Sequence, residues 1–280
     1  MKLFWFEAYK TFSRWRTYIS FGFIALIVIL TEVVMKLSAG EILYRMMKSF
    51  QKDFLIFGNV LNGWFVTAFI MNSLHFHIPF LITLVAGDIV SSEATSGTVR
   101  LLLIRPPSRS KIIIAKYLTT LFYTAALVIF LALICISLGL LFFGSGDLIM
   151  NYQTKLRIVF IPEAEVPIRM LFAFAAAIWS MMVVASLAFL FSTLAENSIG
   201  PIIGTMAIVI VFLVIGNFPF DFFRMLSPYL FTTYMIFWQR FLDDPIPWQE
   251  IGRSALILGL HSIGLFLIAF VVYQRKDIKS

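Results

Sequence analysis

Residues 112–143 read IIIAKYLTTLFYTAALVIFLALICISLGLLFF, a run in which Lys116 is the sole charged residue. A bilayer core of about 30 Å is crossed by about 20 apolar residues in helical form, and the apolar positions here do not alternate with polar ones as barrel strands require. Working outward, comparable stretches lie at roughly 17–35, 62–87, 168–194, 199–217 and 254–273. The 280-residue chain is 60% hydrophobic and 13% charged. A soluble domain is nearer half apolar and a quarter charged, so the surplus has no aqueous surface to occupy. The sequence predicts an all-α, polytopic membrane protein with six transmembrane helices.

The first stretch follows Lys10, Arg14 and Arg16, as a secretory signal would, but it outruns an ordinary signal core and no small-x-small cleavage site follows it. It is expected to stay as an anchor. Cys135 is the only cysteine, which excludes an intrachain disulfide and a cysteine-based metal site.

With six crossings, the N-terminal stretch, the segment between the second and third spans, and the tail share one side. That side carries twelve bases against five acids, and the opposite loops carry ten of each. The whole net charge of +7 thus falls on one face, which predicts both termini in the cytoplasm. The basic balance then reflects orientation and anionic lipid, with no nucleic-acid partner. Residues 225–239, MLSPYLFTTYMIFWQ, are apolar but short for a crossing, and Pro228 interrupts a helix. They are expected to form a re-entrant or interfacial element within an outer loop spanning 218–253.

Placed on a helix, Phe4, Trp5, Ala8, Tyr9, Phe12 and Trp15 share an arc of about 140°, with Glu7, Lys10 and Arg14 opposite. Residues 1–16 therefore read as an interfacial helix with Trp5, Tyr9, Phe12 and Trp15 toward lipid. After the second span, residues 88–111 form a cytoplasmic segment. Gly97 breaks the helix, Thr98 is a good N-cap for a short helix VRLLLIR, and Pro106 and Pro107 stop it. Ser108 or Ser110 can cap the third span. Five apolar residues in six, beside Arg100 and Arg105, need headgroups or a protein partner.

Gly200 and Gly204 form a small-xxx-small pair at the head of the fifth span, and alanines crowd the fourth, so both are candidates for helix packing. No phosphate-binding G-x-x-x-x-G-K-[ST], H-E-x-x-H or G-x-S-x-G motif occurs. No catalytic residue and no metal ligand is expected, so the chain reads as a non-enzyme. His75 and His77 are two apart and point to different sides of a helix. With His261 they would serve the alternative reading, a stand-alone ion-coupled secondary transporter. Glu32 reads as a residue reaching toward interfacial water, and Asp88 and Glu93 as solvated caps.

The topology, the segment GDIVSSEATSGTVRLLLIRPPSRSKIIIAK and the ending FVVYQRKDIKS together resemble the permease subunit of ABC transporters of the type 2 exporter family. That family's cytoplasmic stretch has an acidic residue, Glu, Gly-Thr, a leucine-rich run, Pro, Ser-Arg and Lys. These fall here at Asp88, Glu93, Gly97, Thr98, Leu101–Leu103, Pro106, Ser108, Arg109 and Lys116, and the closing pattern falls at Tyr273, Arg275, Asp277 and Ile278. The resemblance implies a dimeric pore, homodimeric or heterodimeric, in a bacterial cytoplasmic membrane. Two separate ATPase subunits would supply ATP and Mg, with no cofactor in this chain. It also implies that Glu93, Gly97, Thr98, Arg100, Leu101, Leu102 and Leu103 couple to the ATPase, and that residues 1–16 are the family's connecting helix. Membrane lipids are the remaining expected partner.

Overall fold

The computed structural model describes residues 2–41, 61–95, 108–152, 157–218 and 220–275. The chain is a helical polytopic membrane protein. Among the described residues, five helices are long and apolar enough to cross a membrane, or six spans if one bent pair forms a single crossing.

Helix α1 (Lys2–Phe12) turns at Ser13–Arg14 into α2 (Trp15–Leu37). The second apolar stretch is two helices, α3 (Gly63–Leu74) and α4 (Ile78–Ala86), bent by 56°. The sequence predicts one span here, kinked at Pro79. Pro79 in the first turn of α4 has no N–H to continue the ladder across residues 75–77, which is the usual cause of so sharp a break. At the other end Asn62 caps α3, its side-chain oxygen accepting from Trp64 N at 3.1 Å and Phe65 N at 3.0 Å.

After the short α5 (Ser91–Thr95), α6 (Arg109–Phe143) runs for 35 residues with Ser108 at its N-cap position. At 1.5 Å per residue it is about 52 Å long, well beyond a hydrocarbon core. The loop after it holds a feature the all-α reading did not include. Strands β1 (Leu148–Tyr152) and β2 (Arg157–Ile161) pair antiparallel, Leu148 opposite Ile161. Leu148, Val159 and Ile161 are buried, so this hairpin is seated on the helices by its apolar side chains.

Helix α7 (Val166–Leu194) is the axis of the core. Ala173, Ala176, Ala177, Ala185 and Ala188 are buried along it, and such small side chains let α4, α6, α8 and α11 approach closely. Helix α8 (Ile199–Asn217) follows. The region expected to be re-entrant or interfacial is a chain of short helices: α9 (Asp221–Leu226), a 3-10 turn at Ser227–Tyr229 containing Pro228, α10 (Phe231–Tyr234) and a 3-10 run Met235–Leu242. Phe231, Met235, Trp238 and Leu242 are buried against the bundle, and Ser180 of α7 donates to the Met235 carbonyl at 2.8 Å. Helix α11 (Trp248–Arg275) completes the chain, starting six residues before its apolar stretch.

The tightest crossing is between α3 and α6. A Cβ at Gly63 would lie 2.5 Å from the Gly139 carbonyl carbon, and one at Gly139 would lie 2.9 Å from the Gly63 oxygen. Gly200 and Gly204, the pair expected to pack, have looser surroundings: a Cβ at Gly204 would meet the Phe191 ring at 3.7 Å, and one at Gly200 the Asn197 side chain at 3.3 Å.

Candidate functional site

Helix α1 presents Glu7, Ala8 and Thr11 to the protein, while Trp5, Tyr9 and Trp15 stand largely exposed. Trp5 and Tyr9 of the predicted arc face outward, but Ala8 of the same arc is buried and Phe4 packs on Phe122. Phe12 is the exception among the four aromatics, because it packs on Phe122 and Tyr123 of α6. The charged face is covered by the start of α6 and the exit of the second span, not by water.

Lys116, on α6, is 0% exposed, and Glu7 and Glu93 are 1% and 3% exposed. The Lys116 ammonium donates to Glu7 Oε2 at 2.9 Å, to Glu93 Oε1, and to the Ile89 carbonyl at 3.4 Å. Lys10, one turn from Glu7 on α1, donates to the same Glu93 oxygen from the half-buried side. Two ammonium groups thus meet two carboxylates. A single buried charge would be prohibitively costly, whereas a balanced, hydrogen-bonded set is tolerated.

A second group lies one turn further along. Arg14 donates to Asp88 Oδ2 at 2.9 Å and to Ser92 Oγ at 3.0 Å, and Arg16 lies 3.6 Å from Asp88 Oδ1. The turn bearing Asp88 is held from the other side by Ser192 of α7, whose hydroxyl accepts from Val90 N at 3.1 Å and Ser91 N at 3.0 Å. The end of α11 joins through Gln274, which donates to Ser110 at 2.9 Å, and through Phe266, stacked 4.2 Å from Tyr117. This end of the molecule is a polar clasp joining α1, α5, α6, α7 and α11.

The clasp corrects one expectation directly. Asp88 and Glu93 are buried ion-pair partners, not solvated caps. Of the residues expected to couple to an ATPase, Glu93 is in the clasp. Gly97, Thr98, Arg100, Leu101, Leu102 and Leu103 lie outside the described residues, as do Asp277 and Ile278. Glu7, Lys10 and Lys116 carried no site assignment in the sequence. Their signal was a lone lysine in an apolar run and an acid on a basic helix face, with nothing to pair them.

The histidines do not converge. His75 is buried in the α3–α4 break beside Trp238, His77 is exposed with Nδ1 3.2 Å from the Ser73 carbonyl, and His261 sits on α11 with Nδ1 2.8 Å from the Ile257 carbonyl. Among the described residues no group of three or more His, Cys, Asp or Glu side chains could hold a metal ion.

A family model described as "Protein of unknown function (DUF2705)" matches residues 23–279. The chain belongs to the DUF2705 family. Asp88, Glu93 and Lys116 fall within the matched DUF2705 stretch, and Glu7, Lys10, Arg14 and Arg16 precede it. The chain is also similar to "Uncharacterized protein YhcI" of Bacillus subtilis (strain 168), at 26% identity over 229 residues, covering 78% of this chain and 71% of that protein.

Proposed function

We propose that this DUF2705 protein is the membrane-spanning permease subunit of an ATP-binding cassette exporter, working as a dimer bound to two separate ATPase subunits. Both termini and the clasp then face the cytoplasm of a bacterial inner membrane, residues 1–16 lie in its headgroup layer, and part of 218–253 re-enters from the outside. The observation that carries this reading is the joining of Glu93 to Lys116 across residues 96–107, the stretch with the leucine-rich sequence that resembles the type 2 exporter coupling helix. A segment docked to a moving ATPase must be fastened at both ends to rigid helices. Here one end is fastened by Glu93 to α1 and α6, and the other begins α6 itself. ATP-driven approach of the two ATPases would displace the segment, and α6 would carry that displacement along its length, shifting the populations of inward and outward states. This chain then needs no catalytic group of its own.

The reading expects the neighbouring reading frame to encode a P-loop ATPase, and the test is co-expression of the two chains. The wild-type chain is expected to co-purify with that ATPase, and Leu102→Asp to lose it while keeping its own yield, because a carboxylate replaces an apolar side chain at the contact. Full recovery of the ATPase with Leu102→Asp would contradict the reading. The ion-coupled alternative gains nothing from the diverging histidines.

A further inference from the structure

Glu32 lies on α2, five residues before that helix ends at Leu37. It is 0% exposed, shares its buried face with Val28 and Met35, and neither carboxyl oxygen has a hydrogen-bond partner. This overturns the expectation that it reaches toward water. Among the described residues the cation nearest to it along α2 is Lys36, one turn on and on the same side of the helix. Lys36 is committed elsewhere: its ammonium donates to the Phe142 carbonyl at the end of α6 and lies 5.4 Å from the Phe143 ring centroid. The end of a helix dipole and an aromatic face are good sites for a cation, and Lys36 takes them in preference to the acid four residues away.

Among the described residues, the titratable groups on the helices packed against α2 near Glu32 are few. From α6 comes the buried Cys135 thiol, on the residue whose carbonyl accepts from Thr67 at 3.2 Å. Helices α3 and α4 also pack on α2, and neither carries an Asp, Glu, Lys, Arg, Cys or Tyr. Helix α1 meets α2 at its opposite end, where Glu7, Lys10 and Arg14 belong to the clasp. Among the described residues no donor and no cation meets this carboxyl, and an uncompensated charge buried there would be costly.

We infer that Glu32 is a proton-binding site, occupied as the neutral acid while α2 packs on α6 and emptied when that seam opens. The step is a plain acid dissociation. The O–H bond breaks, the proton passes to water at the nearby end of α2, about 7 Å away along the helix, and the carboxylate left behind favours the opened seam. This goes beyond the transport reading and does not depend on it.

Two measurements on the full chain in phosphatidylcholine vesicles test it. The first is the infrared difference spectrum between wild type and Glu32→Gln at neutral pH, with Glu32→Met as a second reference should Gln fold poorly. A protonated-carboxyl C=O band present in wild type alone is expected. A difference confined to ionised-carboxylate bands would overturn the inference and point to an unidentified cation at the site. The second uses Cys135, the only cysteine, as a native reporter of the α2–α6 seam. The ratio of wild-type to Glu32→Gln labelling by a membrane-permeant maleimide is expected to rise several-fold as pH increases and the proton leaves. Ionised Glu32 would by its charge alone slow the reaction of the Cys135 thiol, the opposite sense, so a rise in the ratio reports the seam. A ratio that stays flat while the protonated band disappears would show that proton loss is not linked to packing, and would equally overturn it.

Discussion

Replacing Lys116 by Met is expected to be the most damaging single change in this protein. Methionine fills most of the space but leaves Glu7 with no counter-charge, and Oε1 of Glu7 already makes no hydrogen bond. Glu93 keeps Lys10, so the loss centres on Glu7. Breaking a buried pair by removing one partner costs about 3–5 kcal/mol, which corresponds to a fall of roughly 10 °C in apparent melting temperature for a chain of this size. The loss is read by heating detergent-solubilised protein and following the monodisperse fraction. The double variant Lys116→Met, Glu7→Leu replaces both ends of the pair by apolar side chains and is expected to recover most of the stability, since replacing a buried ion pair by well-packed hydrophobic residues of similar volume is often neutral. A double variant as unstable as Lys116→Met alone would show that the ammonium is needed for more than charge balance.

The second large effect is steric. Gly63→Ala puts a methyl 2.5 Å from the Gly139 carbonyl carbon and 2.6 Å from its oxygen and the Leu140 nitrogen. All three atoms are backbone, so no rotamer change can make room, and α3 and α6 must move apart. Overpacking of this kind costs about 1–3 kcal/mol, occasionally more. The upper end is expected here, with the Asn62 cap disturbed as well, because Asn62 Nδ2 donates to the Asp147 carbonyl at 2.6 Å in the loop beyond α6. Gly204→Ala is the control. Its methyl would rest on the Phe191 ring at 3.7 Å, an ordinary contact, and its stability should change by no more than about 0.5 kcal/mol. Equal losses in the two variants, in the same heating assay, would contradict this contrast.

The two predictions also mark where the sequence was readable. The helices were legible because membrane burial acts on composition over about twenty residues, a scale at which single exceptions do not matter. On α1 the helical period made the outward positions of Trp5 and Tyr9 legible, although it put the buried Ala8 on the same side. The inward side of α1 was not legible, because Glu7, Lys10 and Arg14 make the same stripe whether they face water or buried carboxylates. The periodicity carries no sign of which. Lys116 and Glu93 are separated in the chain by the leucine-rich segment and come together only once α5 and α6 are placed. The glycine contact was missed for a related reason. A small-xxx-small pattern points to paired glycines on one helix, whereas the close approach here uses one glycine from each of two helices. The break at residues 75–77 was half visible in Pro79, whose missing N–H is a local fact, but the 56° bend depends on what packs around it. The paired strands within 148–161 escaped notice because each is only five residues long.

The central claim is that residues 96–107 meet a separate ATPase. Its most direct test is photocrosslinking from a benzophenone side chain placed at position 102 of the full-length protein, co-expressed with the P-loop ATPase that the reading expects in the neighbouring reading frame. The account predicts a crosslink to that ATPase from position 102 and none from a benzophenone at the lipid-exposed position 263. Crosslinks from position 102 to lipid alone, with the ATPase present, would contradict it.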